Sequence, residues 1–213
     1  MRNILCYGDS NTWGYTPGTG VRYAPGIRWT GVLQRELGSE YRVLEDGLNA
    51  RTTAYDDPCT LWRNGADTLP PALIAQKPLD LLILSLGTND LKFTDAFGAA
   101  RGCEFLIDLA HMIQAKTESS PVFPEKVRIL IISPIALGKQ ISEDPYSTLR
   151  KGYQESLRFP EMFARAAQRK GAHFLDAQKY AQPSSVDQVH MSPESHERLG
   201  KAAAEKVREI FLS

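Results

Sequence analysis

The chain has 213 residues, with 25 Lys plus Arg against 25 Asp plus Glu, 42% apolar and 23% charged side chains. That balance leaves no net field to draw nucleic acid or anionic lipid, and no Lys/Arg cluster marks a phosphate-tracking surface. A length of this order predicts one compact domain, spanning residues 1–213.

The first apolar run, Ile4–Tyr7, predicts a strand with Cys6 as a small core residue. It is too short for a signal peptide, and no segment approaches the roughly 18 apolar residues of a membrane span, so a cytoplasmic protein without membrane contact is expected. A helix is predicted over Thr30–Leu37, a strand over Tyr41–Glu45 and a helix over Gly65–Ala75. Further strands are predicted over Leu79–Leu86 and Val127–Ser133, separated by a helix over Phe97–Lys116. The runs Leu81–Leu84 and Ile129–Ile132 lack polar alternation, as strands covered on both faces do. A long helix over Tyr146–Arg169, a strand over Ala172–Leu175 and a helix over Pro193–Phe211 complete the chain. The last has Ser192 to cap it, Pro193 in its first turn, and Leu199, Ala203, Val207 and Ile210 at helical spacing. Strands alternating with helices, joined by right-handed crossovers, give a three-layer α/β/α sandwich around a five-stranded parallel sheet.

Long connections carry Pro and Gly: Trp13–Ile27, Ala54–Asn64, Thr117–Lys126 and Ile135–Pro145. The loops containing Tyr15, Pro17, Tyr23, Pro25, Trp62 and Pro70 have the composition of an interface and are read as contacts of a homo-oligomer that also shape the pocket. Cys6, Cys59 and Cys103 form neither a C-x-x-C pair nor an even set, so no disulfide framework or zinc site is expected.

Ligands of open parallel sheets bind beyond the carboxyl ends of the strands. The segments there are Gly8-Asp9-Ser10-Asn11-Thr12, Asp46-Gly47-Leu48-Asn49-Ala50-Arg51, Gly87-Thr88-Asn89-Asp90 and, past a loop, Asp187-Gln188-Val189-His190. Ser10 is a candidate nucleophile at a sharp turn. A serine hydroxyl needs a base to take its proton, for which His190 is available, and Asp187 can hold the imidazole in the right tautomer. Developing oxyanion charge needs donors, and the Ser10 N–H, the Asn89 amide and a backbone N–H from Gly47 or Ala50 are the candidates. Any one of these residues alone reads more plainly as a helix cap, an Asx turn or a loop residue; together they favour catalysis. Trp13, just beyond the nucleophile, is a candidate pocket wall or a core aromatic, Asp9 a support for the turn, and Arg51 a partner for a carboxylate. His111, His173 and His196 are read as ordinary surface or core residues.

Gly8-Asp9-Ser10, the glycine turn after strand two, Gly87-Thr88-Asn89-Asp90 and Asp187-x-x-His190 resemble the four motif blocks of the SGNH, or GDSL-type, hydrolases. Gly8–Gly14, Arg28–Leu33 and Gly47–Thr53 further resemble the bacterial arylesterase, carbohydrate acetylesterase and acyltransferase subgroup. The resemblance implies a flavodoxin-like sheet, no metal or other cofactor, a Ser10–His190–Asp187 catalytic set, and oxyanion donors at Ser10, Ala50 and Asn89. Ala50 stands where the family usually has glycine, and Asn11 where it usually has leucine. The implied activity is hydrolysis of small acyl esters, with acyl transfer or perhydrolysis where an alcohol or peroxide outruns water. Two alternatives are a longer-chain lipase-like or thioesterase member of the family, and a non-catalytic nucleotide binder; the latter lacks G-x-G-x-x-G and a P-loop ending.

Overall fold

The computed structural model describes residues 1–116 and 120–212, so part of the expected Thr117–Lys126 loop lies outside the described residues. The apolar runs form strands β1 (Arg2–Gly8), β2 (Tyr41–Gly47), β3 (Leu81–Ser85), β4 (Ile129–Ser133) and β5 (His173–Asp176). All neighbours pair parallel, in the order β2-β1-β3-β4-β5. Between and after them run helices α1 (Ser10–Trp13), α2 (Trp29–Leu37), α3 (Gly65–Gln76), α4 (Ala96–Lys116), α5 (Tyr153–Ser156), α6 (Phe159–Lys170) and α7 (Pro193–Leu212).

The period-two alternation of strand side chains divides the core into two layers. Leu5, Tyr7, Leu82, Leu84, Ile129 and Ile131 face α3, α4 and α6, while Ile4, Cys6, Leu81, Ile83, Leu130 and Ile132 face α2 and α7. Each fully buried Leu or Ile contributes about 2 kcal/mol of transfer free energy. Helices therefore cover both faces, which is why β3 and β4 read as unbroken apolar runs. The helix α7 presents Leu199, Ala203, Val207 and Ile210 to the core, as their spacing requires, and Ser192 Oγ accepts the Ser195 N–H at its start.

One expected element is corrected. The helix anticipated over Tyr146–Arg169 is instead a run of turns, the single turn α5 and then α6. Pro160, with no N–H to donate, is tolerated only in the first turn of a new helix, so the helix cannot run through it from Tyr146.

Strand order, not strand direction, reverses at β1: β2 is added on one side of it and β3, β4 and β5 on the other, so the crevice of this sheet opens at the carboxyl ends of β1 and β3. Gly8 pairs with Gly47 on one side and Ser85 on the other. The loops that follow these three residues therefore leave the sheet side by side.

Candidate active site

The turn after β1 is built on close approach. A Cβ at Gly8 would lie 2.0 Å from Thr12 Oγ1 and 2.9 Å from the Ser85 carbonyl, and one at Gly47 would lie 2.1 Å from the Trp13 amide nitrogen. Only glycine lets α1 fold back onto the strand ends. Asp9 caps α1 by accepting the Asn11 N–H at 2.9 Å, and Ser10 opens it, 7% exposed. The first N–H groups of a helix have no intrahelical acceptor, and Ser10 is at the first position of α1.

The loop before α7 is tied down at several points. Ser184 N–H donates to the His190 carbonyl at 2.7 Å, Pro183 and Met191 form an isolated bridge, and Gly138 N–H donates to Gln188, whose φ is 64°. This brings His190 to Ser10 across 180 positions of sequence, with Nε2 2.8 Å from Ser10 Oγ. On the far side of the ring, Nδ1 lies 2.7 Å from Asp187 Oδ2. Asp187 Oδ1 accepts the backbone N–H groups of Val189 at 3.0 Å and His190 at 2.9 Å. Burial opposes ionisation of Asp187, but the hydrogen bonds from the His190 ring and from these two backbone groups outweigh it and hold the carboxyl below its ordinary range. An ionised Asp187 accepts from Nδ1–H, which leaves Nε2 unprotonated toward the serine hydroxyl.

The opposite wall comes from the loops after β2 and β3. Ala50 sits in the left-handed region at φ 64°, a conformation that explains the glycine usual there. Buried Arg51 anchors the loop through the carbonyls of Gly8 at 3.0 Å and Asp46 at 2.6 Å, pairs with the Asp46 carboxylate at 2.8 Å, and lies over the Tyr7 ring. Asn89 Nδ2 donates to the Arg51 carbonyl at 3.1 Å. An amide nitrogen carries two N–H donors, so this bond orients the group and leaves its second N–H for the cleft.

Ser10, Ala50, Asn89 and His190 line one cleft of about 280 Å³ together with Tyr15, Asn49, Thr88, Lys92, Thr148, Leu149 and Val189. Trp13 is not among those lining residues. It lies beneath the Arg22 guanidinium, and Arg22 Nε donates to its carbonyl. Tyr15, grouped by composition with interface residues, stacks on the His190 ring at 4.1 Å and 24°. Pro70 lies within α3 rather than in a loop. No local signal pointed to Thr148 or Leu149 as cleft residues, because each reaches it only through the packing of a long loop.

Two buried carboxyls support the rim. Burial raises Asp9 to about 6, against hydrogen bonds from Asn11 and Thr88. Burial likewise raises Asp90 to about 7, although it accepts the Thr53 N–H at 3.1 Å and the Thr53 hydroxyl. The native state therefore retains a proton on Asp90 where the unfolded chain, titrating near 3.8, has released it. The stabilisation is complete below that lower value and is lost as pH rises through about 7. Relative to Asp90→Asn, the wild-type protein should lose about 4 kcal/mol between pH 4 and pH 8. Urea midpoints across that range measure it, and a difference independent of pH would contradict it.

Of the remaining histidines, His196 is buried; burial, with smaller effects from His190 and Arg28, lowers it to about 3. Its Nδ1 accepts the Trp29 N–H at 3.1 Å and its ring meets Tyr23 edge-on, a structural role. Among the described residues no group of three or more His, Cys, Asp or Glu is arranged to hold a metal ion, and no helix is long and apolar enough to cross a membrane.

Comparison with known proteins finds solved structures of the same fold. A carbohydrate acetylesterase family member from Sinorhizobium meliloti is 36% identical over 100% of both chains, with a TM-score of 0.92. The native aryl esterase of M. smegmatis is 34% identical, covering 99% of this chain and 100% of its own, with a TM-score of 0.90. Est24, a carbohydrate acetylesterase from Sinorhizobium meliloti, is 32% identical over 99% of this chain and 100% of its own, with a TM-score of 0.91. A comparison with curated proteins returned no match. The model of the GDSL-like lipase/acylhydrolase family matches residues 6–198, and the chain belongs to that family, as a carboxylic ester hydrolase of the SGNH fold.

Proposed function

We propose that this enzyme is a serine esterase for short-chain, acetyl-type esters of aryl alcohols or sugars, acting through an acyl-enzyme on Ser10 within one hydrolase domain over residues 1–213. The observation that carries the reading is the unbroken chain Asp187–His190–Ser10, with contacts of 2.7 and 2.8 Å, opening into a small cleft. His190 Nε2 takes the proton of Ser10 as Oγ attacks the ester carbonyl. The Ser10 and Ala50 N–H groups and the Asn89 amide receive the oxyanion. Collapse of the tetrahedral adduct expels the alcohol, protonated by the same imidazole. Water, deprotonated by His190, then attacks the acyl-serine and releases the acid. An alcohol or peroxide in place of that water gives acyl transfer or perhydrolysis.

Removing one preorganised oxyanion donor costs about 3 kcal/mol in the transition state and little in the ground state. Asn89→Ala is therefore expected to lower kcat by about 10²-fold or more with KM little changed. Steady-state kinetics on p-nitrophenyl acetate measure this, and a change under about threefold would remove Asn89 from the site.

The short-acyl preference is supported by cleft size. At about 280 Å³ the cleft lies at the small end of ligand sites, and Tyr15 and Leu149 are bulky parts of its wall. On a series from acetyl to octanoyl p-nitrophenyl esters, kcat/KM should fall by at least roughly tenfold from the shortest to the longest. Preference for octanoyl would instead identify a lipase-like member. The similar structures are those of carbohydrate acetylesterases and an aryl esterase, so acetylated sugars and aryl acetates are the esters with which to extend the series.

A further inference from the structure

The residue after the nucleophile is where this chain departs from the usual Gly-Asp-Ser-Leu pattern, and the structure gives the departure a geometry. Asn11 is 8% exposed, and its side chain crosses to the loop that carries His190. Asn11 Oδ1 accepts the Met191 N–H at 3.0 Å, and Asn11 Nδ2 donates to the Val189 carbonyl at 3.4 Å. Met191 N–H can only donate and the Val189 carbonyl can only accept, so both contacts require the same orientation of the amide. One side chain thus grips the backbone on both sides of His190, while its own N–H is held by Asp9. Leucine has neither donor nor acceptor and could make neither contact.

We infer that Asn11 is a positioning residue, a clamp that holds the base loop in register with the nucleophile turn. This rests on the assignment of Ser10 and His190 as nucleophile and base. The imidazole must first accept the Ser10 proton, then deliver it to the leaving alcohol, then take one from water, all from one place. Small displacements of a reacting group are costly, about 10²-fold in rate for 1 Å. Asp187 cannot supply this registration, because it sits on the same loop as His190 and would move with it. Asn11 belongs to the turn that presents Ser10 and, among the described residues, makes the hydrogen bonds that join this turn to the base loop besides the reacting pair's own Nε2–Oγ contact, alongside the stack of Tyr15 on the His190 ring.

The test compares wild-type enzyme with Asn11→Leu, Asn11→Asp and Ser10→Ala. Asn11→Leu keeps similar volume and removes both contacts; Asn11→Asp keeps the shape and the Met191 contact but sets a second acceptor against the Val189 carbonyl. Each variant is followed by kcat and KM on p-nitrophenyl acetate, active-site titration with an organophosphonate, and the low-field proton resonance of His190 Nδ1–H. The expected result for Asn11→Leu is a fall in kcat per titrated site of about 30-fold, KM within about threefold, and a broadened resonance. Asn11→Asp should lose about tenfold or more, and decides the matter alone if the leucine variant does not fold. Wild-type kcat per titrated site with a sharp resonance, even at lowered thermal stability, would overturn the clamp. Full activity of Ser10→Ala would overturn the underlying esterase assignment, whereas an inactive Ser10→Ala beside a fully active Asn11→Leu removes only the clamp.

Discussion

Ser10→Ala is expected to abolish p-nitrophenyl acetate hydrolysis, with kcat reduced on the order of 10⁴- to 10⁶-fold. The hydroxyl lies 2.8 Å from His190 Nε2 on the cleft wall, and without it no acyl-enzyme forms. The variant should fold normally. Ser10 sits at the first position of α1, where the cap is supplied by Asp9 and the turn by Gly8, and deleting one oxygen at a site 7% exposed removes a single hydrogen bond. Ester binding should therefore survive, visible as competitive retention of a slow substrate analogue, while organophosphonate labelling disappears. An active Ser10→Ala protein would falsify the mechanism outright.

Asp187→Asn should cost about 10⁴-fold in kcat, nearly as much, for a reason of donor arithmetic. The carboxylate now receives three N–H groups, two from the backbone on Oδ1 and the imidazole on Oδ2. An amide has one oxygen. Kept on the two backbone donors, it turns its NH₂ toward Nδ1, which must then be unprotonated. The ring proton moves to Nε2 and points at Ser10 Oγ, so the imidazole donates where it needs to accept. The negative charge that would stabilise the imidazolium is lost as well. Single-turnover acylation rates isolate the step, and a loss under about 100-fold would mean that the tautomer is set by something other than Asp187.

The strands were legible because burial on both faces demands continuous apolar side chains, as in Leu81–Leu84 and Ile129–Ile132. Three of the four rim segments were legible for a related reason: a parallel sheet sends the residues after each strand to the same edge, so Ser10, Ala50 and Asn89 are placed by local grammar. The single helix expected over Tyr146–Arg169 failed because apolar periodicity carries through Gly152 and Pro160, while the backbone does not. Trp13 was the obvious aromatic beside the nucleophile, yet Tyr15, two residues on, reaches the imidazole. The intervening Gly14, in the left-handed region, turns the chain between them.

From the order of its residues alone, this protein has its sheet, its layer architecture, its family and the chemical types gathered at one rim, since each depends on short-range pattern and strand polarity. What only the folded chain decided is the registration of that rim: the stack of Tyr15 on His190, the Asn11 bonds across 180 positions, and the cleft wall contributed by Thr148 and Leu149. Contacts between distant loops are selected by packing and hydrogen-bond satisfaction over the whole molecule, and they leave no periodic trace in the segments that make them.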